Sequence, residues 1–253
     1  MPVKGGAKKG GKRLDVALVE RGLVDTRARA WAVIMAGTVY VAGERVDKAG
    51  ALVKDDAGIV LKGEVLKYVS RGGFKLEAAL DAFGVDVSGL TAVDVGSSTG
   101  GFTDCLLQRG ASKVYAIDAG RGQLDWKLRN APRVVSMEKF NARYLTPEDI
   151  GGGPVGVAVI DVSFISLTKI IPPAAGVLAQ GGGLVALIKP QFEVGKGEVG
   201  KGGIVRDEAK RKEVVDKITT FVSDIGMDVR GVIQSPITGA DGNVEYLICA
   251  EKH

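Results

Sequence analysis

Residues 91–102 read T-A-V-D-V-G-S-S-T-G-G-F. A short apolar run carrying Asp94 feeds a loop of small residues, Gly96, Ser97, Ser98, Thr99, Gly100 and Gly101, and a helical pattern opens at Phe102. Strand, tight turn and helix N-terminus in that order mark the place where open α/β sheets receive nucleotide-like ligands. The glycines do not fall in the G-x-G-x-x-G spacing of a dinucleotide site, and no G-K-[ST] follows, so neither that fingerprint nor a phosphate-binding P-loop is present. The next apolar run, V-Y-A-I-D, ends on Asp118, 22 positions beyond Gly96. An acid at that distance, at the end of the following strand, is suited to hold two ribose hydroxyls.

An acidic strand end beside the loop repels a pyrophosphate and favours a cationic, phosphate-free ligand. S-adenosylmethionine has that chemistry. The candidate cofactor contacts are therefore Asp94, the loop from Gly96 to Gly101, Phe102, the ribose acid Asp118 and, at the adenine edge, Asn141 after the run that begins at Val134.

Outward from this motif, strands and helices alternate, which predicts a mostly parallel sheet with helices on both faces. Strands are expected at 92–95, 114–118, 134–137, 155–161, 184–188, 229–234 and 246–250. Helices are expected at 73–83, 102–109, 123–129, 166–178 and 207–225. The 37 glycines are about twice the usual share, and the runs at 151–153, 181–183 and 195–203 read as loops. A length of 253 residues accommodates this domain and one small companion.

Charge and composition remove several classes. Lys4, Lys8, Lys9, Lys12 and Arg13 come before any acid and exceed the whole-chain excess of +4, so residues 1–12 read as a basic, flexible arm suited to a polyanion. No apolar run approaches the ~18 residues of a membrane span, and the N-terminus lacks a secretory apolar core. Cys105 and Cys249 lack metal-ligand spacing and fit a reducing cytoplasm, with no metal expected. The sole histidine, His253, is the last residue, which excludes Ser-His-Asp catalysis and an imidazole base within one chain. Acid–base chemistry falls to Lys, Asp, Glu or Tyr.

Four such residues stand at helix or strand ends. Lys75 lies in R-G-G-F-K-L, Asp161 follows V-G-V-A-V-I, Lys189 follows L-V-A-L-I, and Glu245 enters the last strand in G-N-V-E-Y. Their order resembles the lysine–aspartate–lysine–glutamate tetrad of FtsJ/RrmJ-like ribose 2′-O-methyltransferases. That resemblance implies Lys189 as base, Lys75 and Asp161 as positioning partners, and Glu245 as a hydrogen-bonding fourth member. A lysine accepts a proton only in its neutral form, and Lys75 beside Lys189 is expected to favour that form.

Residues 13–63 read as two short helices and a small sheet. Leu14, Ala17, Leu18, Leu23, Ala30, Val33 and Ile34 recur at helical spacing, and 38–41 and 58–61 are β-rich. The run R-L-D-V-A-L-V-E-R-G-L-V-D-T-R-A-R-A-W resembles the S4-like RNA-binding domain, with Ala42 where that family often has Asn. It implies RNA contacts by Arg13, Arg21, Arg27 and Arg29. Residues 64–70 read as a linker and 71–253 as the methyltransferase domain. Together with Y-V-S-R-G-G-F-K-L, D-V-S-F-I-S-L and K-P-Q-F-E-V-G-K-G, the chain resembles the TlyA family. The resemblance implies a Rossmann-like seven-stranded α/β methyltransferase domain behind a small α+β S4-like domain. It implies cytidine 2′-O-methylation of ribosomal RNA, either of the large subunit alone or of both subunits. The chain stops soon after its last strand, a feature of the short, large-subunit subtype. Two alternatives stand beside this: a haemolysin-like protein, as some relatives are named, and a non-catalytic ribosome-assembly factor.

Overall fold

The computed structural model describes residues 11–24, 26–35, 37–62, 67–195, 199–200, 202–239 and 242–253. Lys4, Lys8 and Lys9 of the expected arm and residues 64–66 of the expected linker lie outside these. The chain divides into two compact units, Met1–Leu66 and Lys67–His253.

In the smaller unit, β1 (Lys12–Arg13) leads into α1 (Leu14–Glu20) and α2 (Arg27–Met35), followed by β2 (Val39–Val41), β3 (Glu44–Arg45), β4 (Leu52–Val53) and β5 (Ile59–Leu61). Lys12, read from sequence as the end of the arm, is in β1 and pairs with Val53 of β4. β2 is flanked by β3 and β5, both antiparallel. Leu14, Leu18, Ala30, Ile34 and Val39 bury the apolar stripes of the two helices against this sheet. The β2–β3 turn has positive φ at both Ala42 (50°) and Gly43 (91°). Asn-Gly suits such a turn because Asn tolerates left-handed backbone better than Ala does.

The larger unit runs α3 (Gly72–Phe83), β6 (Thr91–Val95), α4 (Gly101–Gln108), β7 (Lys113–Asp118), α5 (Trp126–Arg129), β8 (Val134–Glu138), β9 (Val155–Ile160), α6 (Ile171–Gly176), β10 (Leu178–Ile188), α7 (Pro190–Glu193), α8 (Glu208–Asp224), β11 (Met227–Gln234) and β12 (Tyr246–Lys252). Its seven strands are ordered β11-β12-β10-β9-β6-β7-β8. β12 is antiparallel to both neighbours, and the other six strands share one direction. The apolar faces of the sheet are covered on one side by residues such as Leu76, Leu80 and Leu106, and on the other by Ile171, Ile218 and Val222.

Three sequence expectations are corrected here. The helix expected over 166–178 is a 3-10 turn, Leu167–Lys169, followed by the short α6, whose first turn holds a proline. Pro172 and Pro173 lack the N–H groups that a continuous helix would need. The glycine run 181–183 is not a loop but part of β10, where a bulge lies between Leu178 and Gly183 and Gly181 takes φ +72°. The helix expected over 123–129 starts only at Trp126, because Asp125 caps it by accepting from the backbone N–H of Lys127 at 2.9 Å.

Candidate active site

The sheet order changes direction between β6 and β9. β6 continues to β7 and β8 on one side, while β9 and β10 lie on the other. Crevices form at the carboxyl ends of strands at such a switch point. Here the loop after β6 meets the loop after β9 so closely that a Cβ on Gly96 would stand 2.4 Å from the Asp161 carbonyl oxygen. Gly96 also has φ +86°, so both space and backbone require glycine. Gly101 is packed as tightly, since its Cβ would meet Ser70 Oγ at 2.3 Å.

A cleft of about 440 Å³ opens over these loops. Gly96, Ser97, Ser98, Thr99, Gly101 and Phe102 line it, together with Lys75, Asp161, Lys189 and Glu245. Of the sequence candidates, Asp94, Gly100, Asp118 and Asn141 are not among its lining residues. Each has another place.

Asp118 ties down the loop. One carboxylate oxygen accepts the backbone N–H of Ser98 at 2.8 Å and the other that of Gly120 at 2.7 Å. Ser98 is itself left-handed, at φ +47°. Gly100, at φ +97°, lies against Leu124 and Leu128 and starts α4. Asn141 caps a 3-10 turn, its side-chain oxygen accepting from the backbone and Nε of Arg143, both at 3.2 Å. Asp94 is fully buried beneath the loop and accepts the Thr103 hydroxyl at 2.6 Å. Burial pushes its carboxyl up to about 7, against the Thr103 hydrogen bond, with the charge of Asp161 adding to the rise.

The four polar residues form two ion pairs. Lys75 Nζ lies 2.5 Å from Glu245 Oε2, both side chains largely buried. Lys189 Nζ lies 2.6 Å from Asp161 Oδ1 and donates to Ser163 Oγ at 3.0 Å. Each ammonium therefore faces a carboxylate, rather than chiefly the other lysine as the sequence suggested. Their convergence follows from topology. Lys75 is in the first turn of α3, Asp161 and Lys189 follow the parallel strands β9 and β10, and Glu245 precedes β12. Because β12 runs in reverse, its beginning lies at the edge where the parallel strands end.

Sequence reasoning missed Ser163, Phe164, Gln191 and Phe192 in this cleft. Phe164 stands 90% exposed with φ +63°, its ring 4.9 Å from that of Phe192. A bulky residue in that conformation, with its ring in water, is an outlier worth a functional question. The available signal was the run V-S-F-I-S directly behind Asp161.

In the smaller unit the four arginines divide. Arg13 holds Asp15 through two bonds of 3.0 Å, and Arg27 donates to the same carboxylate at 2.7 Å. Arg13 above all, with Arg27, keeps the buried Asp15 well below the usual carboxylate range. Arg21 is spent on backbone, donating to the carbonyls of Ala57, Lys54 and Asp55. Arg29 makes no side-chain hydrogen bond or ion pair among the described residues and is half-buried.

Comparison with known proteins agrees with this architecture. Residues 68–252 match the FtsJ-like methyltransferase family, and residues 12–59 match the S4 domain. The larger unit is an S-adenosylmethionine-dependent methyltransferase domain. The chain is 51% identical to YqxC of Bacillus subtilis, over 94% of this chain and 84% of that one. It is 46% identical to TlyA of Mycobacterium tuberculosis, named a 16S/23S rRNA (cytidine-2′-O)-methyltransferase, over 93% of this chain and 88% of that one. A solved structure from Streptococcus thermophilus that carries a hemolysin name is 48% identical, covers 96% of this chain and 89% of its own, and superimposes with a TM-score of 0.76. The chain belongs to the FtsJ-like methyltransferase family, with an S4 domain ahead of the methyltransferase domain.

Proposed function

We propose that this protein methylates the ribose 2′-hydroxyl of a cytidine in ribosomal RNA. The observation that carries the reading is Lys189, whose Nζ is held between Asp161 and Ser163 in the cleft floored by the glycine loop. S-adenosylmethionine, when bound, supplies an electrophilic methyl group on a sulfonium. The residues present fit it. The cleft is large enough, and Asp118, though outside its lining, keeps a lone pair on each carboxylate oxygen beyond its backbone bond for a ribose hydroxyl.

The chain's own residues have three tasks. Lys189, in neutral form, accepts the 2′-hydroxyl proton at Nζ as the oxygen becomes nucleophilic. Asp161 and Ser163 fix the position of that nitrogen, and the Lys75–Glu245 pair holds another part of the cleft lining in place. Phe164, exposed at the same cleft, offers a flat face to an unstacked base, the form in which single nucleotides are presented to proteins. In the smaller unit Arg13, Arg27 and Arg29 are proposed to meet phosphates, while Arg21 braces the fold. The lysines ahead of β1, Lys4, Lys8 and Lys9, add unspecific attraction.

The relative named for both 16S and 23S RNA supports either subunit as substrate, and the reading carries a cytoplasmic site of work. No helix among the described residues is long and apolar enough to cross a membrane, and nothing in the cleft favours the haemolysin alternative. Mapping 2′-O-methyl groups in both ribosomal RNAs with wild type and with Lys189→Ala tests the proposal. A lysine-dependent methylcytidine is expected; unchanged RNA with wild-type protein would point to the assembly-factor alternative.

A further inference from the structure

Trp31 lies on α2 with 55% of its surface exposed, although indoles are highly buried on average. It stands four residues beyond Arg27, one helical turn away on the same face. Arg27 is 63% exposed yet tethered, its guanidinium fixed to the buried Asp15, and Arg13 is fixed to the same carboxylate from a 51% exposed position. The cluster has two cations against one anion. Its geometry is set in advance, because the carboxylate is inside the fold and cannot swing with the arginines. Of the five N–H donors on each guanidinium, Arg13 spends two on Asp15 and Arg27 one, which leaves outward donors on both.

We infer that Trp31 and the Arg27–Asp15–Arg13 cluster bind one unpaired RNA nucleotide, with its base stacked on the indole and its phosphate on the guanidinium groups. The inference rests on the RNA-binding reading of the smaller unit and narrows it. A regular A-form duplex keeps its base faces inside and offers phosphates alone, so the arginines would suffice for it. An exposed indole one turn away gains only if a base is free to stack. Charge decides against an apolar peptide, since the ring is bordered by a net cation that a phosphodiester complements.

The test uses the full chain and two hairpin RNAs at one salt concentration, identical except that one carries a single-nucleotide bulge. Trp31→Ala is expected to weaken binding to the bulged hairpin about tenfold or more, and to the paired hairpin by less than about twofold. Trp31→Phe, which keeps an aromatic face, should stay within about threefold of wild type on both. In a Trp126→Phe background, Trp31 emission should be quenched by the bulged hairpin and not by the paired one. Because the indole is exposed, Trp31→Ala should melt like wild type. Equal affinities of Trp31→Ala and wild type for the bulged hairpin, or equal losses on both hairpins, would overturn the stacking site and leave RNA binding intact. A wild type that binds neither hairpin would overturn the RNA reading of this unit and the inference with it.

Discussion

Glu193 accepts the backbone N–H of Leu167 at 2.7 Å, and its second oxygen accepts the Ser166 hydroxyl at the same distance, from a side chain only 7% exposed. This carboxylate joins the segment after β9 to the segment after β10. The first carries Asp161 and Ser163, and the second opens with Lys189. Burial pushes the carboxyl of Glu193 up, opposed by the Leu167 and Ser166 hydrogen bonds and by Lys217 nearby. It touches no residue of the two ion pairs directly, so its part is to position.

Glu193→Ala should therefore lower kcat about tenfold or more by misplacing Lys189, while KM for the methyl donor stays within about twofold. Glu193→Gln keeps an acceptor for Leu167 N–H and should recover most of the rate. Steady-state kinetics on both variants checks this. A purely structural role would depress stability and both kinetic constants without that split.

Lys189→Arg separates a base from an anchor. Arginine keeps the positive charge and its pairing with Asp161 but does not release a proton at working pH. Methyl transfer should fall by about 100-fold or more while donor and RNA binding persist. Lys75→Arg should cost less, because that lysine faces Glu245 and only holds part of the cleft lining in place. Single-turnover methylation of a ribosomal RNA substrate gives the comparison, and a Lys189→Arg rate within a few-fold of wild type would remove the base assignment.

Asp118→Ala releases Ser98 and Gly120 together and deletes the acceptor proposed for the donor's ribose. Donor affinity should weaken by about 1–3 kcal/mol. Calorimetric titration with S-adenosylmethionine measures it, and wild-type affinity in the variant would refute the ribose role.

Asp94 makes stability depend on pH. Its carboxyl is raised from an ordinary value of 3.8 to about 7 in the folded chain, so the folded state holds a proton that the unfolded state releases. This contribution is complete below about pH 4, falls as pH rises toward 7, and changes little above that. Asp94→Asn keeps an acceptor for Thr103 and removes the titration. Urea denaturation at several pH values should show the wild type losing stability relative to the variant between pH 4 and 7. Parallel profiles would contradict the burial effect.

Much of the site was legible because its parts are local. The strand–loop–helix at 91–102 and the acid at 118 are short-range patterns, and each tetrad residue ends or opens an element whose apolar run is visible. What was not legible depends on contacts between segments far apart in sequence. Glu193 and Leu167 are 26 residues apart, and nothing local in either marks the bond. Asp94 looked like a ligand contact, yet a strand residue followed by a tight loop can equally point inward, and it does. Arg21 shows the same limit. As one of several basic residues on a helical stretch it suggested phosphate, but three carbonyls of the 54–57 turn claim it. The broken helix at 166–178 was avoidable, since Pro172 and Pro173 announce the interruption.

The reversed direction of β12 bears on how the protein can be handled at the bench. Its first residue, Tyr246, follows Glu245 at the cleft, and six extended residues later Lys252 has reached the opposite rim of the sheet, about 20 Å away. A dye, affinity tag or surface tether attached after His253 would thus emerge on the far side of the sheet from the reacting groups, leaving the mouth of the cleft free for a large RNA.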